Sequence, residues 1–284
     1  MRIDEALQLA QTLEGEDAKV DVEHLLCEVL QQARSYLYTW PERELDEAQQ
    51  QQFDDLLAKR RSGIPVAHLL GRRAFWTFEL EVNPSTLIPR ADTEVLVEFA
   101  LELCEKPAAR VADLGTGTGA IALALAMEHP DWEVVACDRI VEAVALASAN
   151  AERLKTRNLR IVQGSWFEPL IGQFDLIVSN PPYIDPIDPH LERGDLRFEP
   201  LSALTADECG MADLRQIIVQ APDYLTPQGW LVLEHGFDQA EAVAELLRQR
   251  GFSDIRQRRD FGGNMRVSAG CWCAGTAQRS SDSK

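Results

Sequence analysis

The stretch Arg110-Val111-Ala112-Asp113-Leu114-Gly115-Thr116-Gly117-Thr118-Gly119-Ala120 decides the fold. Its first five residues are mostly apolar and read as a buried strand over 110–114. The next five alternate glycine with threonine, and an apolar helical run follows over 120–127. A strand that turns through closely spaced glycines into a helix opens a nucleotide-binding α/β unit. Glycine permits the sharp turn and lets the backbone approach a ligand closely. Gly115-x-Gly117-x-x-Ala120 satisfies the dinucleotide fingerprint letter by letter, a pattern that several nucleotide-binding families share.

Working outward, strands are expected at 134–137, 159–162, 174–178, 230–233, 253–257 and 265–272. Helices are expected at 141–154, 211–224 and 240–248. Asp92 or Thr93 can cap a further helix that runs to about residue 104. This alternation predicts an α/β fold: a Rossmann-like, mostly parallel seven-stranded sheet with helices on both faces. Upstream the grammar differs. Ile3, Ala6, Leu7 and Ala10 recur at helical spacing, as do Val22, Leu25, Leu26 and Val29. Residues 1–73 therefore read as a small helical-bundle domain. Phe75 to Val82 roughly alternates like a strand, Asn83-Pro84-Ser85 is a turn, and Thr86-Leu87-Ile88 reads as a returning strand. The expected organisation is a helical domain over 1–73, a linking β-hairpin over 74–90, a ligand-binding domain over 91–274 and a disordered Ser-rich tail over 275–284.

Composition narrows the function classes. Hydrophobic residues make up 45% of the 284, enough for a sizeable core. No apolar stretch approaches the roughly 18 residues needed to span a bilayer. The amino terminus is charged within its first residues, unlike a signal peptide, so a cytoplasmic protein without membrane contact is expected. The six cysteines read as reduced thiols, and Cys271-x-Cys273 is too tight for a zinc knuckle, so no metal is expected. The net charge is −18. Nucleic-acid affinity usually rests on several basic side chains against phosphates, so direct nucleic-acid binding is not expected. Lys59-Arg60-Arg61 and Arg72-Arg73 read as a solvated helix end and loop.

Two carboxylates flank the glycine loop. Asp138 ends the next strand, about 20 residues on, where a carboxylate can accept both hydroxyls of an adenosine ribose. Asp113 lies just before the first glycine, where it can receive a cationic amino group such as that of methionine. A pyrophosphate would be poorly served there. On these residues NAD and S-adenosylmethionine both remain open.

The second informative stretch is Asn180-Pro181-Pro182-Tyr183, placed after the strand 174–178 and hence at a strand's carboxyl end. Prolines cannot donate to a sheet or continue a helix, so their carbonyls stay free to accept. An amide or exocyclic amino nitrogen is a weak nucleophile because its lone pair is delocalised. If the Asn180 oxygen and the Pro181 carbonyl each accept one of its protons, the lone pair is aimed and resonance is disfavoured. The Tyr183 ring can stack on the planar group. Such positioning can supply several of the roughly 7–11 kcal/mol available from proximity.

With these residues in place, the chain resembles class I S-adenosylmethionine-dependent methyltransferases that carry an N-P-P-Y motif. More narrowly, it resembles the release factor glutamine methyltransferases (the PrmC/HemK family). Ala67-His68-Leu69-x-Gly71, Phe75-Trp76, Thr86-Leu87-Ile88-Pro89-Arg90-x-Asp92-Thr93-Glu94, the glycine loop with Asp113-Leu114 before it, Ser179 to Ile184, Arg197-Phe198-Glu199-Pro200-Leu201 and Leu233-Glu234-His235-Gly236 carry the likeness. The resemblance implies methyl transfer from S-adenosyl-L-methionine to the side-chain N5 of the glutamine in the Gly-Gly-Gln motif of peptide chain release factors, leaving S-adenosyl-L-homocysteine. It implies that Asp113, Gly115, Thr116, Gly117, Thr118 and Gly119 hold the methionine end, Asp138 the ribose, and Trp166 the adenine. Asn180 to Tyr183 would hold the glutamine amide, with Asn180, Pro181 and Tyr183 catalytic and Asn180 also bordering the cofactor. The helical domain and hairpin would contact the release factor, and the enzyme is expected to be a monomer.

A DNA or RNA base methyltransferase shares the tetrad, and an NAD-dependent oxidoreductase shares the glycine fingerprint. The acidic balance opposes the first, and the tetrad has no evident hydride-transfer role. His68 and Glu234-His235-Gly236 lack a nucleophile or metal partner and are expected to pack and hydrogen-bond. Phe198-Glu199-Pro200 is expected either to line a substrate channel or to form a surface loop.

Overall fold

The computed structural model describes residues 1–15 and 17–273. The tail expected over 275–284 lies outside them. The described residues divide into two compact units: Met1–Arg72 with Val82–Pro84 and Pro189–Glu199, and Arg73–Glu81 with Ser85–Asp188 and residues 200–273.

The first unit is built on helices α1 (Ile3–Gln8), α2 (Ala18–Leu30), α3 (Arg34–Thr39), α4 (Glu47–Arg61) and α5 (Val66–Leu70). The apolar stripe of α2, Val22, Leu25, Leu26 and Val29, meets Ile3, Leu37, Phe53 and Leu57 in one core. Asp46 starts α4 with a reciprocal capping box: its carboxylate accepts from the Gln49 N–H, and the Gln49 side chain accepts from its own N–H. Arg60 departs from the solvated role expected of it. Its side chain is 15% exposed and bridges Asp21 at 2.7 Å and Asp195 at 2.9 Å, which brings the distant segment Pro189–Glu199 into this unit.

A hairpin is present, with strands other than those expected. It pairs β1 (Arg72–Phe75) with β2 (Phe78–Glu81). Phe75 to Val82 is thus not one strand. Trp76 sits at φ +55° in the turn, and its N–H donates to Glu94 Oε1 at 2.9 Å instead of to a ladder. Thr86-Leu87-Ile88 forms no strand; Pro84 and Pro89 bracket it, and proline cannot donate to a sheet. Asn150, wholly buried, clamps β2 by accepting from the Glu81 N–H at 2.8 Å and donating to the Glu81 carbonyl at 3.0 Å.

The remainder alternates as the sequence predicts: α6 (Glu94–Leu103), β3 (Arg110–Leu114), α7 (Ala120–Glu128), β4 (Glu133–Asp138), α8 (Val141–Arg153), β5 (Leu159–Gln163) and β6 (Phe174–Ser179). Two single turns follow, α9 (Leu201–Leu204) and α10 (Asp207–Gly210), the second with Glu208 and Cys209 at positive φ, and then α11 (Ala212–Tyr224), β7 (Leu225–Glu234), α12 (Ala240–Arg250), β8 (Ser253–Arg259) and β9 (Met265–Trp272). The seven strands run in the order β5-β4-β3-β6-β7-β9-β8, and β9 alone is antiparallel to its neighbours. From β3 the sheet winds outward in both directions. Right-handed crossovers then place helices on opposite faces, and the switch point falls between β3 and β6.

Register aligns the exits of four strands. Leu114 pairs with Cys137 of β4 and with Ser179 of β6, and Ser179 pairs with Leu233 of β7. The next residue of each strand or loop, Asp138, Gly115, Asn180 and Glu234, therefore stands in one row along the carboxyl edge of the sheet.

Candidate active site

The glycine loop begins where β3 ends. Gly115, Gly117 and Gly119 adopt φ of +71°, +55° and +86°, a region costly for residues with a Cβ. The N–H groups of Gly115 and Thr116 both donate to the Cys137 carbonyl at 2.9 Å, which folds the loop against the end of β4. A Cβ on Gly115 would stand 3.2 Å from the Trp166 ring, so the missing side chain lets Trp166 close over the loop.

Asp138 faces this loop. Its Oδ2 accepts from the Gly117 N–H and its Oδ1 from the Ile140 N–H, each at 2.9 Å. Each carboxylate oxygen keeps a further lone pair for a ligand. Asp113 lies beneath the loop and is 0% exposed. Its Oδ2 accepts from the Thr116 hydroxyl at 2.6 Å and the Ala122 N–H at 3.2 Å, while its Oδ1 has no hydrogen-bond partner. Burial pushes its carboxyl up to about 7; the Thr116 and Ala122 bonds oppose that rise and the nearby Asp138 adds to it.

The tetrad leaves β6 beside the loop. Ser179, buried, ties the two exits together by donating to the Leu114 carbonyl at 2.7 Å. Asn180 Nδ2 donates to the Thr93 hydroxyl oxygen at 3.2 Å. Tyr183 Oη donates to Glu234 Oε1 at 3.3 Å, and the Tyr183 carbonyl accepts from Gln239 Nε2 at 3.0 Å. Burial pushes the Tyr183 hydroxyl well above the usual phenol range. Ile184 donates to the Leu204 carbonyl and accepts from the Ala206 N–H, so the chain after the tetrad is anchored as well.

Loop and tetrad open on one cavity. With its open mouth it encloses about 940 Å3 of space. Its wall includes Gly115, Thr116, Gly117, Thr118, Asp138, Trp166, Asn180 and Pro182. Asp113, Gly119, Pro181 and Tyr183 are not part of that wall. Thr86, Thr93, Ile140, Ser202, Ala203 and Asp213 line it without having been singled out for it in the sequence. Thr93 was legible only as a helix cap. It stands at the cap position of α6 but makes no capping bond.

His235 is buried against Ser268 Oγ at 2.8 Å and the Gly236 carbonyl at 2.9 Å, and burial pushes its pKa down. It packs and hydrogen-bonds as the sequence suggests. Glu199 is buried, and no residue of Pro189–Glu199 lines the cavity.

Residues 5–71 match the PrmC N-terminal domain and residues 91–192 the methyltransferase small domain. A release factor glutamine methyltransferase of Salmonella typhimurium is 55% identical over 92% of this chain and 94% of its own. One of Pseudomonas aeruginosa is 52% identical over 94% and 97%. Among solved structures, a 16S rRNA N2 G1207 methyltransferase of T. thermophilus in complex with AdoMet and guanosine matches with a TM-score of 0.52. It shares 19% identity over 70% of this chain and 49% of its own, a likeness of fold.

Proposed function

The chain belongs to the family of release factor glutamine methyltransferases, and from that premise we propose that it methylates the side-chain N5 of the glutamine in the Gly-Gly-Gln motif of peptide chain release factors, with S-adenosyl-L-methionine as donor. The observation that carries the reading is the shared cavity. The glycine loop, Asp138 and Asn180 all line it.

The residues present fit the donor. Asp138 offers free lone pairs to a ribose diol, and Trp166 forms an aromatic wall for an adenine. Gly115 to Gly119 let the backbone approach the methionine end. The orphaned buried Oδ1 of Asp113 sets negative potential beneath that loop, suited to an ammonium. When bound, S-adenosylmethionine supplies an electrophilic methyl group on its sulfonium.

The chain's own part is to make an amide nitrogen nucleophilic. Asn180 Oδ1 and the Pro181 carbonyl accept the two amide protons of the glutamine and aim its lone pair into the cavity. Both acceptors gain as positive charge develops on that nitrogen. The proton released afterwards passes to solvent, so no strong base is needed. Pro182 and Tyr183 confine the amide plane. The helical unit engages the release factor, and the enzyme acts as a cytoplasmic monomer without metal or direct nucleic-acid contact.

Incubation with labelled S-adenosylmethionine and an intact release factor, followed by peptide mass spectrometry, tests the reading. Label on the Gly-Gly-Gln glutamine is expected. Folded enzyme that labels no glutamine, or labels nucleic acid instead, refutes it.

A further inference from the structure

Gln239 joins three elements near the carboxyl edge of the sheet. It stands immediately before α12, and its N–H donates to the Gly236 carbonyl at 3.0 Å. Its side chain makes three further bonds. Oε1 accepts from the Gly236 N–H at 2.8 Å, and Nε2 donates to the Tyr183 carbonyl at 3.0 Å and to the Cys209 carbonyl at 3.4 Å. A backbone N–H can only donate and a carbonyl can only accept, so these partners admit one orientation of the amide. Both Nε2 protons are then spent on carbonyls.

Each partner bears on the tetrad. Tyr183 is its last residue. Gly236 follows the end of β7, whose Leu233 pairs with Ser179 just before Asn180. Cys209 lies in a turn where Glu208, Cys209 and Gly210 take φ of +56°, +54° and +81°. Residues with a Cβ are strained at such φ and persist there only where their surroundings hold them. The turn also lies against the tetrad, since a Cβ on Gly210 would overlap the Tyr183 carbonyl. Pro181 and Pro182 have no N–H with which to fasten themselves to a neighbour. The main chain that presents the Pro181 carbonyl is held at its ends instead. Upstream it is held by the pairing of β6 as far as Ser179, and downstream by Gln239 at the Tyr183 carbonyl and by the backbone bonds of Ile184.

Resting on the amino-nitrogen methylation reading, we propose that Gln239 is a positioning residue for methyl transfer. It clamps the Tyr183 carbonyl between the strained turn and the exit of β7, and so fixes where the tetrad places the Pro181 carbonyl relative to Asn180 Oδ1. Those two oxygens must meet both protons of one NH2 group at once. A displacement well under the length of a bond to either proton spoils the aim of the lone pair, and small misplacements of this kind are costly in rate. The Gln239 side chain acts from behind the tetrad, through Tyr183, and is absent from the cavity wall.

The test compares Gln239→Glu, Gln239→Met, Asn180→Ala and the Asn180→Ala/Gln239→Glu double variant with wild type in the release-factor methylation assay. Gln239→Glu keeps the size of the side chain and the acceptor for the Gly236 N–H, but puts an oxygen where two carbonyls need a donor. Gln239→Met keeps the length and makes none of the bonds. Calorimetry with S-adenosylhomocysteine reports cofactor affinity, and its stoichiometry counts the folded enzyme to which kcat is normalised. Both single Gln239 variants should lose about 10- to 100-fold in kcat, with S-adenosylhomocysteine affinity within about twofold of wild type. KM for the release factor should move by less than about threefold, the signature of an interaction that matters only in the transition state. In the Asn180→Ala background, Gln239→Glu should cost less than about threefold more, because the alignment it supports is already lost. Gln239→Met at wild-type kcat would show that the side chain only fills space, and overturns the proposal. Losses that multiply in the double variant, or an equal loss of S-adenosylhomocysteine affinity, overturn it too. All three leave the methylation reading intact, whereas wild-type enzyme that methylates no glutamine overturns both. Should Gln239→Met fail to fold, Gln239→Glu and the double variant still decide.

Discussion

The Gly117 N–H donates to Asp138 Oδ2 at 2.9 Å, tying the middle of the glycine loop to the end of the neighbouring strand. One carboxylate thus shapes the loop and faces the cavity. Asp138→Ala should weaken S-adenosylhomocysteine binding by about 10- to 100-fold, the worth of one or two hydrogen bonds to a charged group. Calorimetry reads the change directly. An affinity within about twofold of wild type would show that the ribose is held elsewhere.

Asn180 makes the opposite prediction. Asn180→Ala removes the acceptor for one amide proton and the aim of the lone pair, yet leaves the loop, Asp138 and Trp166 in place. Turnover should drop by about 100- to 1,000-fold, as when a single preorganised transition-state contact is lost. Cofactor affinity should stay within a few-fold. Equal losses in both would mean that Asn180 mainly shapes the cofactor pocket.

Much of this was legible in the sequence, for a local reason. Most strands of the sheet are apolar runs bounded by glycine, proline or charge, so 110–114 and 265–272 could be read to the residue. The hairpin was misplaced because Trp76 adopts a positive φ that its side chain does not announce. The support of the tetrad was hidden because its bonds span long separations. Asn180 finds Thr93 across 87 positions and Tyr183 finds Glu234 across 51. No periodicity or spacing rule reaches that far, and Thr93 satisfies the rule for a helix cap without acting as one.

Gly210 exposes the same long-range dependence. Its φ is +81°, and a Cβ there would stand 2.0 Å from the Tyr183 carbonyl oxygen. Both atoms in conflict are held by backbone, so neither can step aside cheaply. Gly210→Ala should destabilise the protein by about 2–4 kcal/mol, combining left-handed backbone strain with overpacking. Urea unfolding measures it. At temperatures where the variant stays folded, kcat should fall more than cofactor affinity, since the displaced element is the tetrad.

The two buried carboxyls set the pH response. Asp113 and Glu234 are both pushed up to about 7, from ordinary values of 3.8 and 4.5. Between those values and about 7 the folded chain keeps protons that the unfolded chain has lost. The stability each carboxyl contributes is therefore complete below its unfolded value and is lost as pH rises through about 7. His235 acts in the other direction. Burial pushes it below 6.5, so its contribution is present above that value and lost as pH falls through it. A difference measurement separates them. In urea unfolding from about pH 5 to 8.5, Asp113→Asn should gain stability relative to wild type as pH rises. A constant difference across that range would mean that Asp113 titrates normally.

Arg60 latches the segment Pro189–Glu199 to the helical unit. Its guanidinium reaches Asp21 at 2.7 Å and Asp195 at 2.9 Å, and it also donates to the Gly63 and Ile64 carbonyls. Burial acts to lower its pKa, but the two carboxylates outweigh burial and raise it. Arg60→Ala leaves the partly buried Asp21 and Asp195 carboxylates without their shared cation. Loss of one partner of a buried ion pair typically costs about 3–5 kcal/mol, and partial exposure reduces that to about 2–3 kcal/mol here. Arg60→Lys should recover little, because a point charge cannot bridge both acids and both carbonyls. The segment Pro189–Glu199 depends on this latch, so a glutamate-specific protease should cut at Glu192 faster in Arg60→Ala than in wild type. The segment begins shortly after the tetrad, and its release should raise KM for the release factor while S-adenosylhomocysteine affinity stays unchanged. Unaltered cleavage at Glu192 would show that the segment is held by Arg197 and Phe198 packing at Gly63 instead.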